Sequence, residues 1–323
     1  MPAMIYNGSV LNGTVLGNAS DSKYINSENK LTSSNVQDAI DELAIGIDYT
    51  GKETEYIYVS ATNGNDETGD GTEAKPYASI TKAINIIPRV YHFGKSDSIS
   101  KANTNIYDII VEGGTYNECI HVSNGQYVNL RLSGDVTVNA YSAYIIESLE
   151  NGFLTITSLD QNNRCSLTVN AITDSEGNYV TRSGVVAGRC ALVDLYNLSS
   201  VNFNGNYQNA QLFASRKGTV ILRGGGTLNI NGQAAYVLHA DYSSEIIMQA
   251  DTITYGEDYA TEMTFAYSSS CSRIYMSSSG TINSSEYGFW AEHFSEIGYS
   301  AEKIVNNAPT PTNVTTCSEI RSV

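Results

Sequence analysis

The chain has 323 residues, enough for one or two domains with a substantial buried core. Only 16% of them are charged, yet 34 acidic against 18 basic side chains give a formal charge of -16. That balance argues against nucleic acid or an anionic membrane as partner, because either would repel it.

No run of about 18 apolar residues is present, so membrane insertion is not expected. The opening Met1-Pro2-Ala3-Met4 lacks the basic and apolar regions of a secretory signal, so none is expected. Cysteines 119, 165, 190, 271 and 317 stand far apart without metal-ligand spacing, and reduced, mostly buried thiols with no metal site are expected. With 27 Gly, 23 Tyr, only 5 Pro and little Leu-rich helical pattern, the composition suits a long β architecture with many tight turns.

Residues 1–54 read as a separate N-terminal module. Tyr6-Asn7-Gly8-Ser9, Leu11-Asn12-Gly13-Thr14 and Leu16-Gly17-Asn18 are short, Gly-punctuated extended pieces. A helix is predicted over about 34–45: Ser34 with Gln37 makes a capping box, and Asp38 suits the positive helix start. Val36, Ile40, Leu43 and Ile47 are spaced as a two-heptad seam, and their Ile-rich positions are compatible with a trimeric interface. A helix of about 12 residues is marginal alone and needs a partner.

The string Leu31-Thr32-Ser33-Ser34-Asn35-Val36-Gln37-Asp38-Ala39-Ile40-Asp41-Glu42-Leu43 resembles the short helix of bacteriophage fibre and appendage proteins, which precedes a receptor-facing module. That resemblance implies docking to other virion proteins through the N-terminal module and self-assembly as a homotrimer. It also implies assembly in the host cytoplasm, a place on the virion, and a distal part facing host-surface polysaccharide.

Residues 55–300 open on the alternating strand Tyr56-Ile57-Tyr58-Val59-Ser60, then a Gly/Asp-rich loop, Asn63 to Thr72. Pro76-Tyr77-Ala78-Ser79-Ile80 leads into a short amphipathic helix, about 79–87, with Ala83, Ile84 and Ile87 on one face. Asp108-Ile109-Ile110-Val111 and Gly114-Thr115-Tyr116-Asn117-Glu118 follow. This succession resembles the entry to pectate-lyase-like right-handed parallel β-helices, in which the helix caps the first coil and shields its open edge. The superfamily holds lyases, hydrolases, esterases and non-catalytic viral fibres, so the resemblance speaks for fold and not for activity. Asn63, Asn65, Asp66 and Asp70 offer oxygen donors for Ca²⁺ but depart from the EF-hand pattern. Turn capping is their expected role, and no cofactor is expected.

Five later segments line up without gaps: 185–195, 212–222, 238–248, 266–276 and 289–299. A small residue (Ala187, Ala214, Ala240, Ser268, Ala291) is followed six positions on by a β-branched one (Val193, Val220, Ile246, Ile274, Ile297). Successive members are 27, 26, 28 and 23 residues apart, the length of one coil of a parallel β-solenoid. An irregular earlier member starts at Ser148, with Leu154 in the branched column and an insertion around 174–178. The fold class expected is therefore all-β, a right-handed parallel β-helix, with 301–323, which holds Pro309 and Pro311, as a C-terminal tail.

Alternation separates inside from outside in each coil. One outward column reads Val186, Phe213, His239, Tyr267, Trp290; its four rings make the expected glycan- or partner-binding stripe. A second holds Ile221, Ile247 and Tyr275, an apolar patch suited to a sister chain. A third predicts a charge ladder, Glu245–Arg273–Glu296. A glycosidase needs two carboxylates about 5–5.5 or 6.5–9.5 Å apart. Asp241 and Glu292, two coils apart, are the catalytic pair the alignment offers, the alternative being two solvated acids at turn edges. The leading expectation is a structural virion appendage of tail-fibre or tailspike type. A capsid-bound head fibre is the close alternative, and a polysaccharide depolymerase, hydrolase or lyase, the second class.

Overall fold

A strand that cannot bury its apolar face alone gains a core by lying on a copy of itself, and here every repeat lies on the one before it. The computed structural model describes residues 5–6, 9–10, 56–87, 107–178, 180–255, 264–278, 280–282, 287–300, 304–306, 310–315 and 318–322. Two compact units divide the chain, Met1–Glu53 and Thr54–Val323. In the first, Ile5–Tyr6 pairs antiparallel with Ser9–Val10. The helix expected over about 34–45, with Val36, Ile40, Leu43 and Ile47, lies outside the described residues.

The second unit is a parallel β-solenoid of three sheets with one short helix among its described residues. Sheet I has ten strands, from Ile57–Val59 to Glu319–Ser322; sheet II has eight, from Gly114–Tyr116 to Ile304–Asn306; sheet III has eight, from Ile120–Val122 to Thr310–Val314. Ile57–Val59 pairs with the next strand, Tyr107–Val111; from there the chain visits I, II and III in turn, and successive strands of a sheet lie three places apart.

Register follows the sequence columns. Ala187, Ala214, Ala240, Ser268 and Ala291 lie one over the next in sheet III, and Val193, Val220, Ile246, Ile274 and Ile297 do so in sheet I. All are fully buried. The irregular member joins too, with Ser148 beside Ala187 and Leu154 beside Val193. Sheet II contributes the larger inward groups Val169, Phe203 and Ile230. Each such side chain contributes roughly 1.5–3 kcal/mol by leaving water.

The coils continue beyond Ser300, where a tail was expected. Ile304–Asn306, Thr310–Val314 and Glu319–Ser322 extend sheets II, III and I. Ile320 lies over Ile297, so the branched column recurs once more. Pro311 is compatible with this because Thr310–Val314 is an edge strand, where one ladder donor is dispensable.

The first coil is closed by the helix Ile80–Ile86, which buries Ile80, Ala83 and Ile84. Ser79 caps it by accepting from the Lys82 amide, 3.1 Å. The motif residues around it are used structurally. Asp66 accepts from the Ala78 and Ser79 amides (2.8 and 3.0 Å), and Glu118 takes the Ile80 and Thr81 amides at 2.9 and 2.8 Å. Gln126 donates to the Ile84 and Ile87 carbonyls, both 3.2 Å. Tyr116 donates to the Glu112 carbonyl at 2.9 Å, and burial pushes its phenol up to about 12. In the loop, Asn65 accepts from Glu67 and Thr68, and Asp70 from Thr72, so these oxygens serve the turns.

Between sheets III and I the described turns include two consecutive residues with positive φ: Glu150-Asn151, Arg189-Cys190, Arg216-Lys217, Tyr242-Ser243, Ser270-Cys271 and His293-Phe294. Only Asn124-Gly125 has the residue types such a turn prefers. The left-handed conformation costs other residues about 1–2 kcal/mol each. It persists because amides of one turn donate to carbonyls of the next: Lys217 to Tyr242, Ser243 to Ser270 and Cys271 to His293, at 2.9–3.1 Å. Replacing Tyr242-Ser243 by Asn-Gly should therefore raise stability by about 1–2 kcal/mol in denaturant titration. No gain would show that the turn is not strained.

Candidate functional site

Sheet III presents its rings through a parity shift inside each strand. In Tyr236–Ala240 the neighbours Val237 and Leu238 are both buried, and His239 then emerges half-exposed. The same pattern brings out Phe213 and Tyr267. Phe213 pairs in register with His239, His239 with Tyr267 and Tyr267 with Trp290. Their ring centroids are 4.8, 4.9 and 5.2 Å apart, with interplanar angles of 36°, 46° and 63°. Val186, at the head of the column, is 3% exposed, so the shelf begins at Phe213.

A fifth ring widens it. Tyr236 lies 4.8 Å from His239 and stacks on Tyr267 at 4.7 Å and 16°. Simple alternation puts residues three apart on opposite faces, which hides Tyr236 from a column reading. The buried pair Val237 and Leu238 is the only local signal of the shift.

Polar groups fix the shelf from its edges. His239 Nδ1 lies 2.9 Å from Asn209 Oδ1, and burial lowers the imidazole to about 4, so it is neutral at ordinary pH. The Tyr267 hydroxyl donates to Glu292; burial, reinforced by that carboxylate, raises the phenol's pKa. His293 Nδ1 is 3.3 Å from the same carboxylate.

Asp241 follows Ala240, Glu292 follows Ala291, and Ser269 stands between them on the intervening coil. Two strand spacings of about 4.8 Å separate the acids, near the upper end of the range for inverting glycosidases. Burial raises the Asp241 carboxyl, against lowering contributions from Ser215 and Arg216. Its Oδ1 is shut off from water and accepts no hydrogen bond.

The outer face of sheet I carries the other columns. Ile221, Ile247 and Tyr275 are consecutive in register and half-buried in the single chain. The charge ladder is displaced by one coil. Glu245 lies beside Arg273 in register with no ion pair between them, whereas Arg273 reaches Glu296 at 3.8 Å, and Arg321 of the next coil also binds Glu296. The continuation past residue 300 supplies that second arginine.

Comparison of the chain with models of protein families, with curated proteins and with solved structures gives no match.

A testable pH dependence follows from His239. Its folded value lies below the ordinary 6.5 or so, so the unfolded chain takes up the proton first. The stability at risk is whole above pH 6.5 or so and is lost as pH falls toward about 4. His239→Phe keeps a ring and should flatten this component of unfolding free energy against pH. An unchanged slope relative to wild type would refute the assignment.

Proposed function

We propose that this chain is a structural bacteriophage appendage of tail-fibre or tailspike type. Its β-solenoid binds a host-surface polysaccharide laid along the shelf of Phe213, His239, Tyr267 and Trp290. The observation that supports the reading is the shelf itself: ring faces repeated at 4.8–5.2 Å in a line, about the length one pyranose adds to an extended chain. Half-exposed rings held by their neighbours lose little entropy on binding and offer apolar faces to sugar C–H groups. Asp241 and Glu292 beside the rings disfavour an anionic polymer, so a neutral or amino sugar fits better. In the same reading the N-terminal module docks on other virion proteins, tail or capsid, and the Ile221, Ile247 and Tyr275 face packs against sister chains of a homotrimer. The pectate-lyase-like character of the entry segment, residues 56 to about 122, is part of this proposal.

Binding to an array of bacterial surface polysaccharides tests it. A neutral or amino-sugar polymer should be retained, and Tyr267→Ala with Trp290→Ala should weaken it about fivefold or more, from about 0.5–1.5 kcal/mol for each ring. Affinity unchanged by both substitutions would remove the shelf from the account.

The environment of Asp241 favours a second reading, a depolymerase. A carboxyl with a raised pKa is suited to donate a proton to a glycosidic oxygen, and Glu292 on the far side of Ser269 is placed to activate water. If so, wild type releases reducing ends from the bound polymer, and Asp241→Asn abolishes release while binding persists. A polymer that binds and stays intact leaves the appendage reading alone.

A further inference from the structure

A cavity of 400 Å³ opens on the outer face of sheet I near the capped end, remote in sequence from the ring shelf. Tyr58 lies in register with Ile110, and Tyr56 and Glu112 stand two residues from them along their chains. Together with Leu159 from a later coil and Glu73 from the entry loop, these residues line the cavity. Tyr56 and Leu159 are 44% and 41% exposed, large apolar groups left open to solvent. The two tyrosine rings are 6.4 Å apart at 69°, arranged edge to face. Tyr58 is fixed by its backbone, its amide donating to Gly71 at 2.8 Å and its carbonyl accepting from Tyr77 at 3.0 Å. Among the described residues, two carboxylates line the cavity and no lysine or arginine does.

We propose that this cavity binds an organic ammonium group carried on a small apolar body. Aromatic faces attract a cation through their quadrupoles, the more so where water is excluded. Glu73 and Glu112 supply net negative charge that a neutral ligand would not use, while Ile110 and Leu159 offer apolar contact to methyl or methylene groups. An anionic or strictly hydrophobic occupant would leave the carboxylates either repelling it or desolvated. The proposal does not depend on the ring shelf or on any activity there.

The test is titration of the full-length protein with choline and with 3,3-dimethyl-1-butanol, its uncharged carbon isostere, followed by NMR shifts or calorimetry. Choline should saturate the site and bind at least tenfold more tightly than the isostere. Glu112→Gln should weaken choline about fivefold or more and leave the isostere unchanged, and Tyr58→Leu should do likewise through loss of the ring face. Unaltered far-UV circular dichroism and melting temperature in both variants exclude a folding effect. Equal binding of choline and isostere, or no saturation by choline at tens of millimolar, would overturn the proposal.

Discussion

Backbone hydrogen bonds between successive coils hold each residue over its counterpart roughly 26 positions away, and the other features of the solenoid depend on that vertical registry. The ladder continues through the turns as well as the strands, as the Lys217 to Tyr242 and Ser243 to Ser270 bonds show. Strained turns, small residues at the tight corner and branched residues in the core are thus copied from coil to coil. A side chain suited to its place in one coil is suited to it in the next, which makes the stack cooperative.

The same registry makes a surface from what would otherwise be scattered residues. Phe213, His239, Tyr267 and Trp290 are separated by 26, 28 and 23 residues in the chain and by about 5 Å in space. Their rings touch edge and face, so the shelf is stiffened by contacts worth about 0.5–1.5 kcal/mol each beyond burial. Asn209 and Glu292 hold His239 and Tyr267 from the sides. Binding energy there need not be spent on ordering side chains.

The columns were legible in the sequence because a parallel solenoid converts spacing directly into contact. The small and branched columns and the four-ring stripe follow from it, and the cap helix at Ile80–Ile86 from its own amphipathic spacing. Four things did not. Tyr236 was hidden by the parity shift at Val237 and Leu238, since strict alternation assumes a strand without a bend. The coil beyond Ser300 was masked by Pro309 and Pro311, although Ile320 repeats the branched column 23 residues after Ile297. The Glu245 rung of the charge ladder is missing although its Glu296 rung forms: register brings both acids to Arg273, and side-chain reach, which spacing does not encode, selects Glu296. The cavity at Tyr56 and Tyr58 joins a loop, an entry strand and a later coil, an encounter no single column contains.

Pulsed electron paramagnetic resonance tests the registry most directly. Spin labels at Glu319 and, in turn, at Thr219, Phe153 or Tyr127 report one column of sheet I across four, six and seven coil spacings. Native cysteines other than Cys165 would be replaced by serine, because Cys119, Cys190 and Cys271 are exposed, where mostly buried thiols are expected from sequence, and only Cys165 is buried among the described ones. Stacked coils predict separations of about 19, 29 and 34 Å, a constant step of about 4.8 Å per coil whatever the intervening sequence length. Distances that fail to rise by a constant step, or that follow residue number instead of coil number, would contradict the account.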